Sequence, residues 1–244
     1  MLTVDFEVAG IHAGSRILDI GCGSGRHSFA AMRRGAEVVS ADAALGELDE
    51  VRATSRAMEA AGEIDCVNRG TVATDICAMP FAGASFDVVI ASEILEHVRA
   101  DAAAIAECGR VLKPGGMLVV TVPRTLPEAV NWLLSRRYHD RPGGHVRIYR
   151  RSQLLSRLSC AGFCEVRRAY RHGLHSPYWW LRCALGVDRP DRRAVALYHR
   201  LLVYEIVHAP RSLKALGRVL DPLIGKSAVY YVTIDEPAAH RVAG

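Results

Sequence analysis

Short apolar runs alternate with longer amphipathic stretches through the first half of the chain. Residues 16–20 are apolar up to Asp19. They give way to Gly21, Gly23 and Gly25 in alternate positions, which predicts a buried strand, a loop stripped of side chains and a following helix. Residues 25–34 read as that helix, 37–41 as a second strand ending at Asp42, and 45–61 as a helix rich in Ala, Leu and Glu. A third strand is expected near 66–73, interrupted by Asn68 and Gly70. The strongly apolar 86–91 predicts a fourth strand, 100–111 a helix, Lys113-Pro-Gly-Gly116 a helix stop and turn, and 117–122 a fifth strand. This alternation implies a parallel sheet with right-handed crossovers and a ligand at the carboxyl ends of its strands.

Beyond Pro123 the period is less regular. Residues 151–161 predict a helix ending before Gly162, and 163–170 and 228–234 predict a sixth and a seventh strand. The intervening polar stretch holds a helix near 194–208 and an amphipathic one near 211–220. Segments 124–150 and 172–227 are read as caps laid over the strand ends of a single domain spanning 1–244. No repeat, low-complexity tract or linker interrupts it.

A glycine-rich strand-to-helix turn serves several nucleotides, and spacing discriminates among them. G-x-G-x-x-G would need its third glycine at Arg26 or Ser28, and the phosphate loop would need a lysine where His27 stands. The remaining G-x-G-x-G suits a compact nucleoside carrying an amino-acid tail, and equally a plain structural turn. Asp19, at the strand's end, is placed to hold a positively charged amino group, directly or through water.

Composition narrows the class. With 244 residues, half of them hydrophobic, the chain supports one large core with an appended cap. It shows no N-terminal signal segment and no uncharged run long enough to span a membrane, so a cytoplasmic protein is expected. Seven scattered cysteines, none in Cys-x-x-Cys, read as reduced thiols, with Cys22 a small apolar filler. The net charge of +5 hides a split, −7 over residues 1–122 and +12 over 123–244. Either the second half faces an anionic substrate, membrane or nucleic acid, or it carries a solvated arginine-rich surface.

Several motifs then agree. Ile17-Leu-Asp-Ile-Gly-Cys-Gly-Ser-Gly25, Val39-Ser-Ala-Asp42, Thr74-Asp75-Ile76 with Met79-Pro80-Phe81, and Phe86-Asp87-Val88-Val89-Ile90-Ala91-Ser92 come in order. Glu93-Ile94-Leu95-Glu96-His97-Val98 and Val111-Leu112-Lys113-Pro114-Gly115-Gly116 follow, with Gly144-His145-Val146-Arg147-Ile148-Tyr149 and Ala161-Gly162-Phe163 later. The set resembles class I S-adenosylmethionine-dependent methyltransferases of the type 11, quinone-biosynthesis-like branch. The resemblance covers residues 16 to about 122 most closely. It implies a Rossmann-like α/β fold, a seven-stranded mostly parallel sheet with helices on both faces, the last strand antiparallel and helical cap insertions. It also implies S-adenosylmethionine as cofactor. Gly21, Gly23 and Gly25 would admit its methionine part, Asp42 would accept the ribose hydroxyls, Asp75 and the Ile76 amide would read the adenine, and Ser92 with Glu93 would line the floor under the sulfonium.

The implied reaction is in-line methyl transfer, and an alcohol or phenol acceptor profits from a base of near-neutral pKa. His145 is the first candidate base, His97 the second and His139 the third. If helical, Glu93, Glu96 and His97 would share one side at i, i+3 and i+4, where the resemblance implies a divalent-cation site; metal dependence is the less favoured reading. Tyr178, Trp179 and Trp180 suit a flat or apolar acceptor, or pack the cap. The 211–220 helix is compatible with peripheral membrane contact, although an apolar side turned to the core is the ordinary reading. A small-molecule O-methyltransferase acting on an apolar, aromatic or lipid-linked acceptor is thus expected. The rivals are an RNA methyltransferase, a non-catalytic cofactor-binding or scaffold protein and, more distantly, an NAD-dependent oxidoreductase.

Overall fold

The computed structural model describes residues 2–65, 69–139 and 144–234. Its strands are β1 (Arg16–Ile20), β2 (Glu37–Asp42), β3 (Arg69–Ala73), β4 (Phe86–Ser92), β5 (Leu112–Pro123), β6 (Phe163–Arg171) and β7 (Ser227–Ile234). The helices are α1 (Arg26–Met32), α2 (Leu45–Ala60), α3 (Asp101–Val111), α4 (Thr125–Leu134), α5 (Arg136–His139), α6 (Arg151–Cys160), α7 (His175–Leu185), α8 (Arg193–His208) and α9 (Arg211–Ile224).

The seven strands form one sheet in the order β3-β2-β1-β4-β5-β7-β6. β1 to β5 run parallel, and β7 is antiparallel to both of its neighbours. This is the Rossmann-like mixed sheet that the alternating pattern and the resemblance imply. The strand order reverses between β1 and β4, which opens a crevice at their carboxyl ends. Register brings those ends level, since Ile20 pairs with Ala41 on one side and Ala91 on the other.

Successive side chains of a strand face opposite sides of the sheet, and here both sides are covered. Leu18, Ile20, Val89, Ala91, Leu118 and Val120 enter one core cluster, while Ile17, Val88, Ile90 and Val119 enter the other. Unbroken apolar runs are what such doubly covered strands require.

Three local readings change. The Lys113-Pro-Gly-Gly116 turn is not a break before a strand but lies within the span of β5. Phe86 pairs with Leu112 and Val88 with Met117, so four residues swell out opposite Asp87. Gly115 takes φ +73°, and a Cβ on Gly116 would lie 2.9 Å from the Asp87 and Lys113 carbonyl oxygens. The start of the third strand at 66–68 lies outside the described residues, and the strand they precede begins at Arg69. The stretch before residue 194 also holds α7, which the polar interruptions concealed.

Among the described residues, the two segments read as caps carry α4 and α5 in one and α7, α8 and α9 in the other, while 144–150 is not helical. Trp180 Nε1 donates to the Pro127 carbonyl at 3.2 Å, tying α7 to α4. Leu174, Tyr178, Val195 and Leu202 form a small separate core against which Leu213 and Leu220 of α9 pack. Among the described residues, no helix is long and apolar enough to cross a membrane.

Candidate active site

The glycine loop is shaped by backbone conformation. Gly21, Gly23 and Gly25 all adopt positive φ, at +68°, +49° and +80°, which L side chains rarely adopt. Sterics add to this at two of them. A Cβ at Gly21 would run into Ile94 Cδ1, and one at Gly25 would come within 2.9 Å of Val51 Cγ2. The Gly21 and Cys22 amides both donate to the Ala41 carbonyl, and the Gly23 amide donates to Asp42 Oδ2 at 2.9 Å. Asp42 Oδ1 accepts from the Ala44 amide, also at 2.9 Å. Each carboxylate oxygen keeps a second lone pair for a ligand hydroxyl.

Asp19 does different work from the expected amino-group contact. Its Oδ2 accepts both the Ser28 amide at 3.0 Å and the Ser28 hydroxyl at 2.7 Å. It thereby caps the first turn of α1, whose N-cap is a glycine without a side chain. Burial pushes the Asp19 carboxyl up to about 6, against the Ser28 hydrogen bonds. Asp19 does not line the neighbouring cavity.

That cavity, of about 480 Å³, is lined by Gly21, Asp42, Asp75, Ile76, Ile94 and Val98 among others. Four of the expected cofactor residues therefore meet: one loop glycine, the two aspartates and Ile76. Asp75 Oδ1 accepts the Cys77 amide at 2.8 Å, which holds its turn. The fit to S-adenosylmethionine is physical: carboxylates for hydroxyl and amino donors, apolar walls for a purine, and bare backbone where a Cβ has no room. Ser92 stands outside this lining, its hydroxyl 3.0 Å from that of Thr121 and accepting from Arg26 at 3.1 Å. Glu93 sits at φ +54°, its amide and carboxylate both bonded to the Thr121 hydroxyl. Such strain at the exit of a strand is characteristic of ligand sites.

Residues 93–98 form a turn, not the helix on which the Glu93/Glu96/His97 grouping relied. The turn is two-sided. Ile94 and Val98 line the cavity, while Glu96 and His97 meet His145. One ligand atom from each of Glu96, His97 and His145 lies within 4.8 Å of the others, and the two imidazole rings are 4.9 Å apart. The 144–149 segment is pinned there by the Val146 amide on the Glu96 carbonyl at 2.9 Å, by Arg147 on the Arg99 carbonyl at 2.8 Å and by the Tyr149 hydroxyl on Asp101.

His145 Nδ1 is 2.6 Å from Glu128 Oε1. A carboxylate only accepts, so Nδ1 is the donor in this pair. Glu128 also accepts from Asn131 Nδ2, Trp132 Nε1 and the Tyr138 hydroxyl, at 3.1–3.2 Å. Burial tends to raise this carboxyl, but the hydrogen bond and charge of His145 outweigh it and leave it below its ordinary value. Glu96 is the opposite case. It is 0 % exposed, and among the described residues neither carboxyl oxygen has a hydrogen-bond partner; burial, then the Glu93 charge, hold it well above the usual carboxylate range. An orphaned buried carboxyl beside two imidazoles fits a hard divalent cation.

The side chain of His139 lies outside what the structure describes. Of the aromatic trio, Tyr178 is buried in the cap. Trp179 stands 5.7 Å from the Tyr138 ring, with Lys226 Nζ 5.9 Å from its own. Glu128 was not among the expected residues. Its signal lay in 125–134, where the only strongly polar side chains, Glu128 and Asn131, fall three apart on the face that α4 buries.

A methyltransferase domain family model matches residues 18–120, the span that builds the crevice and its floor. The chain carries a class I S-adenosylmethionine-dependent methyltransferase domain. It is 40 % identical over 114 residues to the ubiquinone biosynthesis O-methyltransferase of Mesorhizobium japonicum, covering 46 % of this chain and 43 % of that one. A Psychrobacter arcticus relative of the same name is 36 % identical over 179 residues, covering 68 % and 66 %. The chain spans about half the length of most of the curated relatives it matches. Among solved structures, an S-adenosylmethionine-dependent methyltransferase from Methanosarcina mazei superposes with a TM-score of 0.63 at 15 % identity, covering 96 % of this chain and 100 % of the other. At that identity the likeness shows the methyltransferase fold alone.

Proposed function

We propose that this methyltransferase acts on an oxygen of a small apolar, aromatic or lipid-linked acceptor, with His145 as general base. The observation that carries the reading is the two-sided turn. One side of 93–98 walls the cofactor cavity, and the other carries Glu96 and His97 against a carboxylate-held imidazole. The names of the relatives place their own O-methylation in ubiquinone biosynthesis, and a phenolic acceptor of that class suits Trp179 and Tyr138.

The bound cofactor supplies an electrophilic methyl group on a sulfonium. Gly21 and Asp42 would hold it, and Ile94 would exclude water beside it. His145 Nε2 would take the acceptor hydroxyl proton as the acceptor oxygen gains the methyl group. Glu128 keeps the imidazole in the required tautomer and balances its new charge. Much of the basic half is engaged internally, which counts against an RNA substrate. Arg147 and Arg157 pair with Asp101, Arg151 with Glu165, and Arg124 lies over Tyr170.

The orphaned Glu96 favours a second reading, in which a divalent cation sits between Glu96, His97 and His145 and lowers the acceptor's pKa. The two compete for one lone pair, because a metal-bound Nε2 cannot act as base. Labelled-methyl transfer to a prenylated catechol separates them. Under the base reading, His145→Ala reduces turnover about 100-fold with cofactor affinity intact, and chelator has no effect. Turnover abolished by chelator and restored by magnesium selects the metal. Full activity of His145→Ala without metal dependence would discard both.

A further inference from the structure

A second cavity, of about 530 Å³, opens where the β6–α7 turn meets α8 and α9. It is no smaller than the cofactor cavity and shares no lining residue with it, nor with the Glu96, His97 and His145 cluster. The proposed chemistry leaves it unused, and its size is that of a small-molecule site. Two of its polar residues carry orphaned atoms. His175 Nδ1 and Glu205 Oε2 are shut off from bulk solvent, and neither has a hydrogen-bond partner among the described residues. Buried polar atoms are nearly always satisfied, so two orphans around one cavity call for a group seated there.

The charges of the lining say what that group carries. Lys214 and Arg218 stand one turn apart on α9, are exposed, and make no ion pair among the described residues. Arg171, at the end of β6, shares its charge with Asp5 at 3.6 Å. The same lining holds Asp221 and Glu205. Asp221 Oδ1 accepts the Gly173 amide at 2.7 Å, which fixes the turn. Burial, then the Asp221 charge, holds Glu205 above the ordinary carboxylate range, and an ammonium beside the pair would relieve it. His172 and His175 are kept neutral by burial and add no charge.

Both signs of charge therefore line one cavity. A plain anion would be repelled by Glu205 and Asp221, and a plain cation by Lys214 and Arg218. A metal ion does not fit, because among the described residues the spacing it needs is met at Glu96, His97 and His145 and not here. A molecule with one ammonium and one carboxylate satisfies both sets. We propose that this cavity binds a small zwitterion of the amino-acid class, its carboxylate on Lys214 and Arg218 and its ammonium on Glu205. His175 Nδ1 completes the contacts. The binding does not depend on which acceptor the enzyme methylates.

The test is calorimetry on the purified full chain with three related probes. They are L-norvaline, pentanoate, which lacks the ammonium, and butylamine, which lacks the carboxylate. L-Norvaline is expected to bind in the millimolar range or below, about tenfold or more tighter than either analogue. Lys214→Ala with Arg218→Ala, both at exposed positions, lowers its affinity about tenfold. Glu205→Gln removes the preference for L-norvaline over pentanoate. An unchanged Tm reports folding of each variant, and the three-probe comparison on the wild-type chain decides even where a substitution unfolds it. Saturating S-adenosylhomocysteine leaves L-norvaline binding in place. Absence of L-norvaline binding by the wild type overturns the proposal, as does equal binding of pentanoate or wild-type behaviour of both folded variants. Displacement of L-norvaline by S-adenosylhomocysteine assigns the binding to the place of the cofactor's methionine part and also overturns it.

Discussion

Asp42 shows what one carboxylate contributes at residue scale. It closes the glycine loop through the Gly23 amide, shapes the following turn through Ala44, and faces the cavity. Asp42→Ala removes all three functions. Two hydrogen bonds to a charged acceptor are worth about 1.5–3 kcal/mol each, so affinity for S-adenosylhomocysteine should fall about 100-fold or more by calorimetry. An unchanged affinity would remove Asp42 from ribose binding. Glu96 carries the opposite expectation. Its carboxyl is buried without a partner among the described residues, and desolvation disfavours its charge. Glu96→Gln should therefore leave thermal stability equal or higher, and should abolish any rise in Tm on adding magnesium. Asp42 was legible as the end of the second strand from strand–helix alternation, and its expected ribose role came from the resemblance alone. Glu96 and Glu128 were less so, because burial of a charged side chain is decided by what folds over it, and here that is the distant 144–149 segment.

At the scale of elements, alternation located the strands because doubly covered strands are apolar throughout. It read the helix at 194–208, which is α8, but missed α4, whose leucines point outward while Glu128 and Asn131 are buried, and α7, hidden by the Gly and His residues that open it. The packing of β6 onto the cap rests on Gly173. A Cβ there would lie 2.6 Å from the Leu220 carbonyl carbon and 2.8 Å from the Asp221 amide nitrogen, neither of which can give way without moving α9. Gly217, inside α9, meets nothing within 4 Å. Gly173→Ala should cost about 1–3 kcal/mol in urea unfolding by overpacking, while Gly217→Ala should add about 0.5–1 kcal/mol by helix propensity. Equal effects of the two substitutions would mean that α9 does not press on the β6–α7 turn.

For the whole molecule, buried titratable groups set the pH dependence of stability. Burial, then the Arg26 charge, push His27 down to about 3; burial and Lys226 push His175 down to about 4; burial and His175 hold His172 well below its ordinary value. All three are neutral in the fold and take up protons near pH 6.5 when unfolded, so their stabilisation is complete above that pH and is lost as pH falls toward their folded values. Asp19 works the other way. With a folded value of about 6, it binds a proton more readily folded than unfolded, so its contribution grows as pH falls through the window from about 6 to 4. Glu96, also raised, acts in the same sense as Asp19. Between pH 7 and 5, His27 alone costs about 2 kcal/mol, and Asp19 returns about 1 kcal/mol. Three histidines against two carboxyls leave a net loss on acidification. The urea midpoint should therefore drop from pH 7 to pH 5, and His27→Phe should flatten that slope by about 2 kcal/mol. A midpoint that holds or rises on acidification would show that the histidines between the N-terminal segment and the cap are open to water, and that the cap does not close over the sheet as drawn.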